Sequence, residues 1–150
     1  MIYIILFVML LVLDQFTKYI VEQSFYLSES IPIIDEVFNF TYVENRGIAF
    51  GLFQGRLSII SILTVVAIVA IFIYVLRNKK TLSILEYFGY TLILSGAVGN
   101  MIDRLFRGFV VDMLDFRGIW SFVFNLADVW INVGVFLLIV DYLILRRNEK

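Results

Sequence analysis

The sequence predicts an α-helical polytopic membrane protein with four transmembrane helices, a small extracytoplasmic β-sheet between helices 1 and 2, and an interfacial segment between helices 3 and 4. The first observation is composition. Hydrophobic residues make up 61% of the 150 residues and the mean hydropathy is +0.94, whereas soluble domains contain roughly 45–50% apolar residues. The second observation is the stretch 57–76, which contains no charged residue. The third is an alternating pattern at residues 36–45 that is typical of a strand.

Each predicted span is long enough to cross a hydrocarbon core of ~30 Å, which takes ~20 apolar residues in a helix. The first span is interpreted as retained, because no basic residue precedes it and no small-residue cleavage site follows it. The chain 1–150 is therefore expected to form one membrane-embedded domain with both termini on the same side. The four spans are residues 2–21, 57–76, 82–102 and 125–145.

The distribution of Lys and Arg predicts the orientation of the chain, because short cytoplasmic loops carry an excess of both. Segments 77–80 and 146–150 contain six of these residues on one side, and the opposite connections contain five. This narrow excess places both termini in the cytoplasm. The net charge of −1 gives no reason to expect a nucleic-acid partner.

The two outer connections carry the remaining patterns. Aromatic and polar side chains alternate in residues 36–45 before the turn "NRG", which predicts a strand at the membrane surface. Residues 103–124 are too polar for hydrocarbon and too apolar for a free loop, which predicts a segment in the interface. Within it, Arg107 and Arg117 are expected to extend to lipid headgroups.

The residue types present limit the possible chemistry. The chain has no Cys and no His, which removes disulfides, thiol nucleophiles, imidazole bases and the usual nitrogen and sulfur ligands of zinc. We therefore expect no metal and no cofactor. Any catalysis must use carboxylates, hydroxyls, Lys or Arg, and carboxylates in a membrane are costly and usually functional.

Two aspartates with apolar neighbours, Asp112 and Asp128, are the candidate catalytic residues. They lie at the exit of span three and the entry of span four. Two carboxylates held close together share a proton near neutrality, so one can take a proton from water while the other donates to a carbonyl oxygen. The structural alternative makes Asp128 the N-cap of helix 4 and leaves Asp112 and Asp115 as solvated loop residues. Spacing does not distinguish Asp112 from Asp115.

Two further polar clusters have the spacing of one helix face. Asn100, Asp103 and Arg104 are related by i, i+3 and i+4, and Asp14 and Lys18 by i, i+4, so each set can be in contact on a helix. Each set also fits an ion pair near a helix end, with Lys extending to the headgroups. Neither cluster alone indicates a function.

Spacing alone leaves two other function classes open. An ion or proton conductor would use Asp14, Asp112, Asp128 and Asp141 as its path and would need polar positions through the whole bilayer. Instead, Asp112 and Asp128 are predicted at one face and Asp141 near the other. A structural or chaperone subunit would use the same carboxylates to bind a partner helix.

Five motifs, in order along the chain, resemble the lipoprotein signal peptidases (signal peptidase II), which are bacterial inner-membrane aspartyl peptidases. The chain departs from the family pattern at Ile48, where a small residue is usual, and at Ser95, where Gly is frequent. Both departures concern packing and leave the carboxylates in place. The motifs are "LDQFTK" at 13–18, "NRGIAF" at 45–50, "GNMIDR" at 99–104, "VVDMLD" at 110–115 and "FNLAD" at 124–128.

The resemblance implies a peptidase that removes the signal peptide from prolipoproteins carrying diacylglyceryl on a cysteine, cutting on the amino side of that cysteine. Asp112 and Asp128 match the family's catalytic pair, near the outer face of the inner membrane. Segment 26–56 would cover the site. The expected partners are the lipidated prolipoprotein and membrane lipids, and the enzyme is expected to be a monomer.

The family's substrate-binding and pocket-shaping residues also match positions of this chain. Within the site, Asp103 is expected to pair with Arg104 or Lys18, and Asp115 to brace the strand of the catalytic pair. The matching positions are Asp14, Lys18, Asn45, Gly47, Asn100, Asp103, Arg104 and Asn125.

Overall fold

The computed structural model describes residues 1–47, 57–118, 120 and 122–145. The end of the "NRGIAF" motif, part of the covering segment 26–56 and the basic tail 146–150 therefore lie outside the described residues. The helices are α1 (Ile2–Ser24), α2 (Leu57–Asn78), α3 (Ile84–Phe106) and α4 (Leu126–Val140), and a π-helical turn over Asp141–Leu145 continues α4. The strands are β1 (Ser30–Ile34), β2 (Phe38–Asn45), β3 (Val110–Asp115) and β4 (Val123–Phe124).

Three helices within the described ranges have the length and composition of membrane spans. These are α1, α2 and the helix that begins at Leu126, which agrees with the predicted spans 2–21, 57–76 and 125–145. Their large apolar side chains are mostly exposed, as expected of surfaces that face lipid. In α2, only 6% of the most apolar stretch is buried within the protein.

The third helix, α3, begins and ends later than the predicted span 82–102. It begins at Ile84 because Ser83 and Glu86 form a capping box, in which each side chain accepts a hydrogen bond from the backbone of the other. It continues to Phe106 because its polar last turn finds partners inside the protein. Asp103, for example, pairs with Lys18 of α1 at 2.9 Å.

Glycines allow α3 to pack closely against its neighbours. A Cβ on Gly134 of α4 would lie 2.6 Å from the carbonyl oxygen of Gly89, and one on Gly99 would lie 2.5 Å from Oδ2 of Asp14. Neither approach is compatible with a side chain. Hydrogen at these positions therefore allows the middle of α4 and the polar part of α1 to pack against α3.

The strands form one antiparallel sheet in the order β1-β2-β3-β4. The predicted strand at 36–45 is β2, but the sheet is not confined to the connection between α1 and α2. Residues 103–124, predicted as an interfacial segment, contribute β3 and β4. The reason is that a lone hairpin is only marginally stable, and β-branched Val110 and Val111 suit a neighbouring strand.

The sheet fixes the direction of Asp112. Val111 and Met113 pack with Tyr42 and with Val21 of α1 in a buried apolar cluster. Successive side chains of a strand point to opposite faces, so Asp112 points away from that cluster. It lies opposite Val43 of β2.

Candidate active site

Three segments of the chain meet at Asp112. The residue is 2% exposed. Its Oδ2 accepts a hydrogen bond from Nδ2 of Asn45, at the end of β2, at 2.9 Å. Its Oδ1 accepts one from Nδ2 of Asn125, just before α4. The carboxylate of Asp112 thus accepts one side-chain amide from β2 and another from the residue that precedes α4.

Asp128 lies in the first turn of α4 and is half-buried. Its Oδ1 accepts a hydrogen bond from Nδ2 of Asn100 at 2.8 Å, and its Oδ2 accepts one from the backbone N–H of Asn125 at 3.3 Å. The N-cap of α4 is Asn125, with Asp128 as the third helical residue of a capping box. The alternative that made Asp128 the N-cap is therefore wrong by three positions, because the amide of Asn125 takes that place.

Asn125 connects the two carboxylates. It is fully buried. Its side chain donates to Asp112, and its backbone donates to Asp128. Burial raises the pKa of Asp112 to about 7, and the neighbouring charge of Asp128 acts in the same direction. Hydrogen bonds from Asn45 and Asn125 oppose that rise, because they favour the charged form.

Arg104 lies near this pair, since Asp128 and Asp112 are its two strongest charged neighbours. Its Nη1 and Nη2 donate to the carbonyl oxygens of Asn100 and Gly47 at 3.4 and 3.3 Å. Its Nε is buried and has no hydrogen-bond partner within the described part of the chain. Among the residues that the structure describes, the guanidinium therefore makes only long hydrogen bonds and has a spare donor.

Asn45 and Asn100 extend the network in opposite directions. Oδ1 of Asn45 accepts a hydrogen bond from the backbone N–H of Gly47 at 2.9 Å, which fixes the turn after β2. Oδ1 of Asn100 accepts from Nζ of Lys18 at 2.9 Å and from Asn125 at 3.2 Å. Asn100 thus links the aspartate pair to a buried cluster on α1.

That buried cluster consists of Asp14, Lys18 and Asp103, all 0% exposed. Nζ of Lys18 lies 3.0 Å from Asp14 and 2.9 Å from Asp103. Oδ1 of Asp14 accepts a hydrogen bond from the backbone N–H of Ala127 in α4 at 2.9 Å. These three predicted site residues lie behind the aspartate pair and are enclosed by protein. Of the two expected partners of Asp103, Lys18 and Arg104, it is Lys18 that forms an ion pair with it.

Gln15, Glu22 and Arg107 belong to the same cluster and were not predicted as site residues. Nε2 of Gln15 lies 3.1 Å from acceptors on Asp14, Gly99 and Asp103. Arg107 pairs with Asp103 at 2.6 Å and with Glu22 at 3.0 Å, so the expectation that it extends to headgroups is wrong. The position of Gln15 inside the motif "LDQFTK" could have indicated it. The pair between Glu22 and Arg107 has no local spacing that could.

Asp115 lies apart from the aspartate pair. Its Oδ2 accepts a hydrogen bond from Oγ1 of Thr41 at 2.7 Å and contacts Nε of Arg117 at 3.3 Å. Arg117 also donates to Oγ of Ser30 at 2.7 Å. Arg117 is therefore bound to the sheet and does not extend to the headgroups as expected. Asp115 braces the outer end of β3, and the structure distinguishes it from Asp112.

Comparisons with known proteins agree with this architecture. A family model described as signal peptidase (SPase) II matches residues 6–144. The chain is 59% identical to a lipoprotein signal peptidase of Fusobacterium nucleatum, over 100% of this chain and 91% of that protein. It is 43% identical to one of Clostridioides difficile, over 100% of both. A solved bacterial membrane enzyme superposes with a TM-score of 0.90 at 31% identity, covering 99% of this chain and 91% of that one.

The two relatives match this chain over its whole given length. The apolar helices place the protein in the bacterial inner membrane, and the chain belongs to the signal peptidase II family of proteases.

Proposed function

We propose that this protein is an intramembrane aspartyl endopeptidase that removes signal peptides from diacylglyceryl-modified prolipoproteins. The bond cut is on the amino side of the lipidated cysteine. The observation that carries the proposal is Asn125, which holds Asp112 with its side chain and Asp128 with its backbone N–H. Two carboxylates fixed in this way can divide the acid and base roles between them.

In the proposed mechanism, water attacks the scissile carbonyl between the two aspartates. Asp128 takes a proton from the water, and Asp112 donates its proton to the carbonyl oxygen. The resulting tetrahedral intermediate collapses when its C–N bond breaks. The proton now on Asp128 passes to the departing cysteine nitrogen, and the gem-diol returns one proton to Asp112. No nucleophilic side chain is required.

The predicted binding residues take two kinds of role in this proposal. Arg104 is the best candidate for direct substrate contact, because its Nε, which has no partner among the described residues, can donate to a backbone carbonyl of an extended peptide. Asn45, Asn100 and Asn125 orient the aspartates through the hydrogen bonds described above, and Gly47 shapes the turn beside Arg104. Asp14, Lys18 and Asp103 hold Asn100 and the helix ends from behind.

We further propose that α3 is the fourth span and that both termini lie in the cytoplasm. The basic segment 77–80 between α2 and α3 would then face the cytoplasm, and the sheet with Asp112 would lie at the outer face. The acyl chains of the substrate would stay in the bilayer while the scissile bond reaches the aspartates. The enzyme would work as a monomer among membrane lipids.

The deciding experiment presents purified protein in nanodiscs with a diacylglyceryl-modified prolipoprotein and with its unlipidated precursor, and follows cleavage by gel shift. We expect cleavage of the lipidated protein only, with the new amino terminus at the modified cysteine. Equal cleavage of both precursors would contradict the lipid requirement. Proton flux through liposomes containing the protein, without cleavage, would favour the conductor instead.

The pH dependence of cleavage offers a second test. The proposed acid, Asp112, must carry a proton, so kcat/KM should fall as the pH rises through about 7. Asn45→Ala removes a hydrogen bond that favours ionised Asp112. The alkaline limb should therefore move upward by about one pH unit. Asn39→Ala, on the same strand but bonded to Ser30, should leave the limb in place. A downward shift in Asn45→Ala would contradict the assignment of Asp112 as the acid.

A further inference from the structure

Arg107 is a charged residue that the proposed mechanism does not use, yet it points into the protein. It follows the last residue of α3, and its side chain is only 18% exposed. Its Nε donates to Oε2 of Glu22 at 3.0 Å. Its Nη1 lies 2.6 Å from Oδ1 of Asp103 and 3.1 Å from Oε1 of Gln15. One guanidinium therefore joins α1, through Glu22 and Gln15, to the end of α3.

Asp103, the main partner of Arg107, has no remaining capacity for a ligand. Its Oδ1 accepts from Arg107 and from Gln15 at 3.1 Å. Its Oδ2 accepts from Lys18 at 2.9 Å and from the backbone N–H of Val111 at 3.2 Å. An ionised carboxylate offers about four acceptor positions, so all of them are occupied, and the residue is 0% exposed.

The hydrogen bond from Val111 connects this cluster to the aspartate pair, because Val111 directly precedes Asp112 in β3. Within the described residues, β4 pairs with β3 only at Leu114 and Asp115. Nearer to Asp112, the backbone N–H of Val111 donates to the carboxylate of Asp103 and not to a neighbouring strand. Asp103 is therefore bonded to the backbone N–H of the residue next to Asp112.

We propose that Arg107 is a positioning residue for Asp112, acting through Asp103 and the peptide group of Val111. The inference rests on the proposed catalytic pair and adds a residue that does not touch it. The fork geometry of the guanidinium is essential, because three acceptors on two helices are met by one rigid plane. Lysine at this position could reach Asp103 or Glu22 but could not hold both in register.

The test measures kcat and KM of the purified full chain on lipidated prolipoprotein. Arg107→Met should lower kcat by about 10- to 100-fold, the size expected when a catalytic group shifts by ~1 Å, and KM should stay within about threefold because no substrate contact is lost. Arg107→Lys should fall between that variant and the wild type. Arg117→Met is the matched control, since Arg117 is 53% exposed and contacts Asp115. Its kcat should be unchanged.

A second variant keeps the proposal testable if Arg107→Met does not fold. Glu22→Gln retains the shape of the side chain but removes the charge that orients Arg107, so kcat should fall by about threefold. Where Arg107→Met folds, combining the two substitutions should produce no further loss, because both act through one contact. A simple loss of folded protein would lower the active fraction in proportion to stability and would not produce this non-additive pattern.

The inference is overturned if Arg107→Met keeps kcat within about twofold of the wild type, or if Arg117→Met loses as much. Asp112→Asn, assayed beside them, separates this failure from a failure of the proposed function. If Asp112→Asn is active, the proposed catalytic pair is wrong. If Asp112→Asn is inactive and Arg107→Met is fully active, only the proposed role of Arg107 is wrong.

Discussion

Asp112→Asn and Asp128→Asn should each lower the kcat for cleavage of lipidated prolipoprotein by about 10³- to 10⁴-fold, the upper range for acid–base groups. In the proposed mechanism each aspartate both gives and accepts a proton in one turnover, and an amide can do neither. The double variant should be no slower than either single one, because the two carboxylates act as a unit. The measurement is a single-turnover cleavage assay on protein of equal folded fraction.

Asp115→Asn is the matched control for this prediction. It lies on the same strand as Asp112, but it is bonded to Thr41 and Arg117. Its cleavage rate should stay close to that of the wild type. If Asp112→Asn retained turnover and Asp115→Asn lost it, Asp115 and not Asp112 would be the catalytic residue.

Stability separates loss of chemistry from loss of fold in the same variants. The pKa of Asp112 is raised from 3.8 to about 7 in the folded protein, so the stability that protonated Asp112 provides is lost as the pH rises through about 7. Asn cannot ionise. The Tm of Asp112→Asn should therefore fall less than that of the wild type as the pH rises through about 7.

Lys18→Met should be the most destabilising of the substitutions considered, at about 3–5 kcal/mol, the cost of leaving a buried partner charge uncompensated. Its ammonium serves Asp14 at 3.0 Å and Asp103 at 2.9 Å, and all three side chains are 0% exposed. Arg107 still reaches Asp103 in the variant, so Asp14 bears most of the loss. Thermal unfolding in detergent should show a Tm lower by about 10 °C.

Two comparisons identify charge as the cause of that loss. Adding Asp14→Asn to Lys18→Met removes the uncompensated carboxylate and should recover part of the lost Tm. Arg46→Met breaks the exposed pair with Glu44, in which Arg46 is 61% exposed, and should cost about 0–1 kcal/mol. An unchanged Tm in Lys18→Met would show that the buried pairs contribute nothing to stability.

Much of the fold follows from local pattern. Apolar runs of sufficient length predict the spans, and the alternation before "NRG" predicts β2. Residues 103–124 were harder to predict, because their preference for a strand depends on a partner that lies far away in the chain. Asn45 contacts Asp112 across 67 positions of sequence, and no periodicity in either segment encodes that pairing.

The candidate site was likewise only partly predictable from the sequence. Apolar sequence neighbours indicated Asp112 and Asp128 as costly carboxylates, and helical spacing placed Asp14 beside Lys18. The direction of each side chain was not predictable. The side chains of Asp112 and Asp115 point in different directions because of strand alternation and because Thr41 binds Asp115. Arg107 points inward because it pairs with Glu22 on α1 and Asp103 on α3. Such choices depend on tertiary contacts that sequence spacing does not contain.

The sharing of one sheet by two distant connections has a consequence for biosynthesis. β2 leaves the ribosome long before β3, and Asp128 is carried by α4, which follows both strands in the chain. A nascent chain that has delivered α1, the β1–β2 hairpin and α2 into the membrane therefore has neither aspartate of the pair. Under the proposed mechanism, a chain that has not yet delivered α4 therefore cannot cut the prolipoproteins that share its membrane.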